Sequence, residues 1–213
     1  MYFEYGEKEI SYLKKKDKKM AAAIEQIGYV ERNVDSDLFS SVVHHIIGQQ
    51  ISTAAQATIW KRAQEALVEV NADTINNTST EDLQKLGMSF RKVSYIKSFA
   101  EKVANKELDI ESLWNKSDEE VIKELSALNG IGVWTAEMLL TFCMQRPDIL
   151  SYGDLAIHRG LRMLHHHKNI DKKLFEKYRK RYSPYNTVAS LYLWAIAGGA
   201  IEGMKDYAPK KVK

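Results

Sequence analysis

The chain has 213 residues, 45% of them hydrophobic and 28% charged, enough to bury a core as one domain or as two small ones sharing a cleft. Its formal net charge of +3 is a mild basic excess that permits nucleic-acid binding without demanding it. Cys143 is the only cysteine, which excludes an intramolecular disulfide and any four-cysteine zinc or iron-sulfur centre and points to a reducing compartment.

Three prolines and eleven glycines interrupt the sequence, and the segments between them repeat apolar residues at three- and four-residue spacings. That period predicts an all-α protein with no strands. Helices are expected over 7–27, where the Lys14-Lys15-Lys16 and Lys18-Lys19 run reads as a solvated face, and over 36–48 and 53–70. Ser79-Thr80-Glu81-Asp82 marks the start of another, and one more covers 90–104. Ser117-Asp118-Glu119-Glu120 is a capping box before Val121. Helices at 134–145, 155–166, 171–182 and 185–199 complete the series. His165-His166-His167 reads as a solvated helix end, because consecutive histidines on a helix point in different directions and cannot form one compact metal site. The tail "KDYAPKKVK" reads as frayed. No solenoid repeat, flexible linker, opening signal peptide or apolar run of the ~20 residues needed to span a bilayer is visible, so the expected location is cytoplasmic, with no membrane partner.

The most informative stretch is "LSALNGIGVWTAEMLL", residues 125–140. An apolar stripe of Val121, Ile122, Leu125 and Leu128 runs out at Asn129-Gly130, and a second helical pattern begins straight after Gly132. Two glycines so placed allow positive φ and close approach, and leave backbone N–H groups at a helix N-terminus able to hold an anion such as phosphate. A lone Gly-x-Gly serves equally well to keep a hairpin tight for packing alone. Further on, "DILSYGDLAIHRGLRML" puts Asp154 just ahead of an amphipathic stretch. There it is either an ordinary N-cap or a functional carboxylate.

The string Leu125-x-x-Leu128-x-Gly130-Ile131-Gly132-x-x-Thr135-Ala136 resembles the helix-hairpin-helix element that grips duplex phosphates in DNA repair glycosylases. In that superfamily one essential aspartate follows the hairpin by about twenty residues, and Asp154 matches it. "HHIIGQQISTAAQATIW" (44–60) and "YSPYNTVASLYLWAIAGG" (182–199) narrow the likeness to alkylpurine glycosylases of the DNA-3-methyladenine glycosylase II type, and "LGMSFRKVSYIKSFAE" and "YLKKKDKKMAAAIEQIG" also fit. The likeness covers residues 8–202.

The resemblance implies a helix-hairpin-helix glycosylase fold of two helical lobes with the active-site cleft between them. Residues 35–150 would form the central lobe, and residues 1–34 with 151–213 the second. It implies a catalytic role for Asp154, a base pocket of Trp134 and Trp194 with Met138 and Tyr192 at its margin, and a DNA wedge of Gln49, Gln50 and Ile51. Asn129, Gly130, Ile131, Gly132 and Thr135 would form the phosphate-binding hairpin, with Ile131 as its plug. Members that also cut the backbone through a Schiff base have lysine where this sequence has Trp134, and an indole forms no imine, so a monofunctional enzyme is expected. The implied partner is double-stranded DNA carrying alkylated purines, bound by a monomer, nucleoid-associated if the protein is bacterial. No cofactor or catalytic metal is implied, while hairpin carbonyls in the family often hold a structural monovalent cation. Arg91, Lys92, Arg159 and Arg162 border matched motifs and are the candidate phosphate contacts. The rival readings are a glycosylase for another lesion on the same scaffold and a non-catalytic helix-hairpin-helix DNA-binding protein. Trp134 in place of lysine argues against oxidised guanine as the lesion, and the missing cysteine cluster argues against relatives of endonuclease III.

Overall fold

The computed structural model describes residues 1–209; Lys210–Lys213, the last part of the tail expected to fray, lie outside the described residues. Among those described, the regular structure is helical: α1 (Glu7–Lys16), α2 (Lys18–Ile27), α3 (Leu38–Gly48), α4 (Thr53–Leu67), α5 (Ala72–Asn77), α6 (Thr80–Lys85), α7 (Phe90–Ala104), α8 (Asp118–Ser126), α9 (Val133–Phe142), α10 (Leu155–His165), α11 (Lys172–Tyr182) and α12 (Asn186–Ala197). A short 3-10 turn spans Ser112–Asn115, and the only extended pairing among the described residues is an isolated bridge between Tyr2 and Asn33. The all-α expectation therefore holds. No helix among the described residues is long and apolar enough to cross a membrane.

The chain divides into two compact units, one of residues 1–34 with 145–213 and one of residues 35–144. In the second, side-chain oxygens of Asp37, Ser52, Asn71, Ser79, Ser89 and Ser117 cap α3 to α8, each accepting from a backbone N–H of the first turn. Each such cap contributes about 1 kcal/mol and sets where its helix begins. α5 has no counterpart among the expected helices because its six residues are too short to display a helical period. Val42, Ile46 and Ile47 of α3, Val93, Ile96 and Phe99 of α7 and Leu139 and Leu140 of α9 are all but fully buried and make the core, where Phe39 stacks on Phe99 at 4.8 Å. Cys143 is buried too, and that burial pushes its thiol up to about 12, so it behaves as a small apolar side chain.

In the other unit the expected single helix over 7–27 is two helices. Asp17 breaks it in extended conformation (φ −149°, ψ 109°), its Oδ1 accepting from the amides of Lys19 and Met20 to start α2. The flanking lysines mask this break, because lysine favours helix and leaves no signal of its own. Asp17 is 5% exposed, and Oδ2 accepts from Arg181 Nη1 at 2.6 Å and from the Tyr182 hydroxyl at 3.0 Å, so a buried acid within the lysine run ties α2 to α11. His165, expected in solvent, is likewise buried, with Nε2 3.4 Å from Asp17 Oδ2 and 3.0 Å from the Tyr182 hydroxyl. His166 adopts a left-handed cap after α10, and His167 Nε2 lies 2.7 Å from the Tyr178 hydroxyl. The described part of the tail is anchored, not frayed. Asp206 binds Arg162 in bidentate fashion, at 2.8 Å from Nε and 2.7 Å from Nη2, and Tyr207 lies against His166 with ring centroids 4.6 Å apart. α10 and α12 approach so closely at Gly160 that a Cβ there would stand 2.4 Å from the carbonyl oxygen of Leu193.

The buried cluster is pH-sensitive. Burial alone would raise the Asp17 carboxyl, but Arg181, His165, the Met20 amide and Tyr182 together hold it below its ordinary range. Burial pushes His165 down to about 4, aided by Arg181, His167 and Lys19 and opposed by Asp17. An unfolded histidine titrates near 6.5, so between pH 6.5 and about 4 the unfolded chain takes up a proton that the native state refuses, and stability falls as pH falls. The lowered carboxyl of Asp17 acts further down, contributing stability that is lost only as pH falls below the ordinary carboxylate value. Urea midpoints measured from pH 7 to 4.5 should therefore decline, and His165→Gln should make that decline shallower; an unchanged slope would remove His165 as a cause.

Candidate functional site

α8 stops at Ser126, and the chain turns back within residues 127–132 before α9 begins. Gly130 makes the reversal with φ +84°, a conformation costly for any residue with a Cβ, and a Cβ here would lie 2.3 Å from Cδ2 of Tyr95. Ile131 follows, 4% exposed, and its N–H donates to Leu128 O at 3.1 Å. Its burial contributes roughly 1.5–3 kcal/mol toward holding the hairpin on the unit. Gly132 differs from Gly130, since a Cβ there would meet nothing within 4 Å. Unlike α3 to α8, α9 has no side chain capping its first turn, and Val133 and Trp134 beside that turn are 56% and 46% exposed. A bare helix N-terminus behind an open glycine is a place where an anion can reach backbone amides. Asn129 is exposed, whereas Thr135 and, one turn beyond Trp134, Met138 are buried.

The turn between α3 and α4 lies beside this hairpin. Gln49 closes α3 and donates from Nε2 to Gly130 O at 2.6 Å. Gln50 has φ +57°, a left-handed conformation costing a non-glycine residue roughly 1–2 kcal/mol, so its neighbours must hold it there. Arg91 reaches Gln50 Oε1 at 3.5 Å, and Lys92 donates from Nζ to Ile47 O at 2.8 Å. Removal from water, with Arg91 close by, lowers the Lys92 ammonium from its ordinary value. Gln50 and Ile51 are exposed. The structure thus brings Gln49, Gln50 and Ile51 together with the hairpin residues in one unit. It also reveals Lys92 and Tyr95 as supports; Lys92 was recognisable only as a basic residue near a motif, and nothing local marked Tyr95.

In the other unit, Asp154 caps α10. It is 7% exposed, and Oδ1 accepts from the amides of Ala156 at 2.8 Å and Ile157 at 2.9 Å. The capping geometry accounts for one carboxylate oxygen and orients the whole group. The loop leading to it is fastened at several points. His158 donates from Nε2 to Tyr152 O at 2.8 Å, two residues before Asp154. Further back, polar side chains buried on α12 hold residues 146–149: Thr187 Oγ1 donates to Arg146 O at 2.6 Å and accepts from Ile149 N at 3.0 Å, and Ser190 donates to Ile149 O at 3.0 Å. Asp148 completes the clamp, accepting from Ser183 Oγ and Asn186 Nδ2, each at 2.6 Å. Trp194 on the same helix is partly buried. Tyr192 is 1% exposed and donates to Gly28 O at 3.0 Å, with burial raising its phenol. Among the described residues no group of three or more His, Cys, Asp or Glu side chains could hold a metal ion.

The description "HhH-GPD superfamily base excision DNA repair protein" matches residues 43–184, which contain the α3–α4 turn, the hairpin and Asp154. DNA-3-methyladenine glycosylase 1 of Schizosaccharomyces pombe is 31% identical over 178 residues, 81% of this chain and 78% of the relative. The crystal structure of a DNA-3-methyladenine glycosidase from Bacillus halodurans superposes with a TM-score of 0.82 at 34% identity, covering 93% of each chain. A 3-methyladenine DNA glycosylase from S. pombe in complex with abasic DNA superposes with a TM-score of 0.74 at 26% identity, covering 95% of this chain and all of that one. The chain belongs to the HhH-GPD superfamily of base excision DNA repair proteins.

Proposed function

We propose that this protein is a monofunctional DNA glycosylase that hydrolyses the N-glycosidic bond of alkylated purines, of the 3-methyladenine and 7-methylguanine type, in duplex DNA. The observation that carries the reading is Trp134, an exposed indole two residues beyond Gly132 at the uncapped start of α9, in a chain whose relatives bear 3-methyladenine glycosylase names. An indole face attracts a cationic alkylated base by roughly 0.5–2 kcal/mol and cannot form the imine that a backbone-cutting lyase requires.

In this reading the hairpin amides hold a phosphate and the Gln50–Ile51 turn fills the gap left by the flipped nucleotide, whose extrusion costs a few kcal/mol. The base is received on the aromatic face of Trp134. As the C1′–N bond breaks, its electron pair leaves with the base and positive charge develops on the sugar, which the Asp154 carboxylate stabilises. A water oxygen then bonds to C1′ and loses its proton to Asp154 or to solvent. The products are a free base and an abasic site. A cationic purine is already a good leaving group, so one oriented carboxylate suffices. A monovalent cation suits the hairpin carbonyls, which are hard oxygen donors; those of Leu128 and Gly130 each accept one hydrogen bond and have a second lone pair. Such an ion would add positive charge beside the phosphate and take no part in bond breaking. The protein acts as a monomer in the cytoplasm, on the DNA itself.

Asp154→Asn keeps a side-chain oxygen able to cap α10, so melting and duplex binding should stay near wild type while release of methylated purines falls by at least about 10²-fold. Unimpaired release would end the catalytic assignment, and a wild-type protein that binds duplex but frees no base would be a binding module instead. Trp134→Leu should slow excision of cationic 7-methylguanine by roughly two- to thirtyfold and excision of neutral hypoxanthine less, compared under single-turnover conditions. Borohydride should trap no covalent adduct with abasic DNA. Duplex affinity should fall as salt rises, with a log-log slope of about 0.9 per phosphate contact; a flat response would remove phosphate gripping from the mechanism.

A further inference from the structure

The two turns that this reading sets against DNA are joined by one side chain. Gln49 is only partly exposed, and its carboxamide crosses from the end of α3 to Gly130 O, 81 positions away in sequence. Gly130 presents that oxygen because its φ of +84° turns the peptide off the helical path, and the ring of Tyr95 leaves no room for a larger residue. α7 braces the other side of the link, Lys92 holding Ile47 O and Arg91 reaching Gln50 Oε1. Gln56 closes the rear of the turn, donating to His44 O at 3.0 Å where a Cβ on Gly48 would collide with its amide. Every contact in the set lies within the unit of residues 35–144.

We propose that Gln49 is a positioning residue and does not enter the base stack. Its carboxamide is a strut that locks the α3–α4 turn to the hairpin, so that gripping a phosphate aims Gln50 and Ile51 into the duplex. Its neighbours Gln50 and Ile51 are exposed, whereas its own amide is committed to Gly130. The side-chain chemistry suits the task, since a carboxylate here would repel the carbonyl and an aliphatic chain would leave it without this donor. This inference rests on the glycosylase reading, and its test uses binding alone so that the two can fail separately.

The probes are an intact duplex and the same duplex carrying a tetrahydrofuran abasic analogue, which provides the gap a wedge would fill. Gln49→Met keeps the chain length and removes the donor; Gln49→Glu keeps the shape and reverses the interaction. Gln49→Met should bind intact duplex within about twofold of wild type with the same salt slope, because the glycines and amides of the hairpin are unchanged, whereas Gln49→Glu adds a negative charge beside the hairpin and should weaken intact-duplex binding as well. Both should lose about tenfold in preference for the abasic duplex, because the wedge is no longer pre-positioned by the hairpin. Gln50→Ala alone should cost a similar factor, and adding it to Gln49→Met should cost nothing more. Additive losses would make Gln49 an intercalating residue in its own right and overturn the strut. So would equal losses on both duplexes, no loss at all, or a wild-type protein without abasic preference. A wild-type protein that prefers the abasic duplex yet releases no methylated purine would overturn the glycosylase reading and leave the strut to be decided by the double-mutant comparison.

Discussion

The arrangement around the hairpin begins with the left-handed peptide at Gly130. With φ at +84° and the Tyr95 ring in the space a Cβ would take, only glycine turns the chain sharply enough to send α9 back along α8. The same rotation has two consequences. It directs the Gly130 carbonyl at Gln49, joining the hairpin to the α3–α4 turn, and it places Gly132 so that the first turn of α9 opens to its surroundings. Burial of Ile131 holds the turn down, by an amount comparable to the strain at Gln50 that the neighbouring contacts must offset. The hairpin and the α3–α4 turn are therefore parts of one braced structure with α7 as its spine.

Asp154 depends on a different kind of support. Its own bonds to Ala156 and Ile157 are those of an ordinary helix cap, and its fixed position comes from the loop before it. That loop is held by buried hydroxyl and amide groups on α12, a helix otherwise apolar. Buried polar groups are costly unless they are paired, and nearly all of these are paired with the loop backbone or with Asp148. The Asp17 cluster performs a related service in the same unit, tying α2 to α11 through a buried carboxylate and a guanidinium. Breaking such a pair by removing one partner leaves an uncompensated buried charge and is strongly destabilising, whereas the intact pair adds little net stability over a well-packed apolar replacement.

The helical architecture was legible in the residues because capping and amphipathic period act over three or four positions. Ser79, Ser117 and the apolar stripes announce their helices within a single turn. The glycines of the hairpin and the acid at Asp154 stood out as a motif for the same reason. The supports did not. Tyr95 is an unremarkable aromatic in a helix until Gly130 is found beneath its ring, and Asp148 is one acid among many until Asn186 and Ser183 close on it. Asp17 was hidden by lysines that favour continuing the helix, and His165 by neighbours that resemble a solvated end.

By itself the sequence determined the class of fold, most of the helix starts though not those of α2 and α5, the tight hairpin and the absence of a lysine at the position Trp134 occupies, since each follows from residue type and short spacing. Tertiary structure decided which polar groups would meet: Gln49 with Gly130, Asp17 with Arg181, Asp206 with Arg162. These pairs lie 81, 164 and 44 residues apart, and no local preference of either partner encodes the encounter. They form because chain folding brings both groups to one place, where the donor and acceptor of the more buried pairs, shielded from water, must satisfy each other.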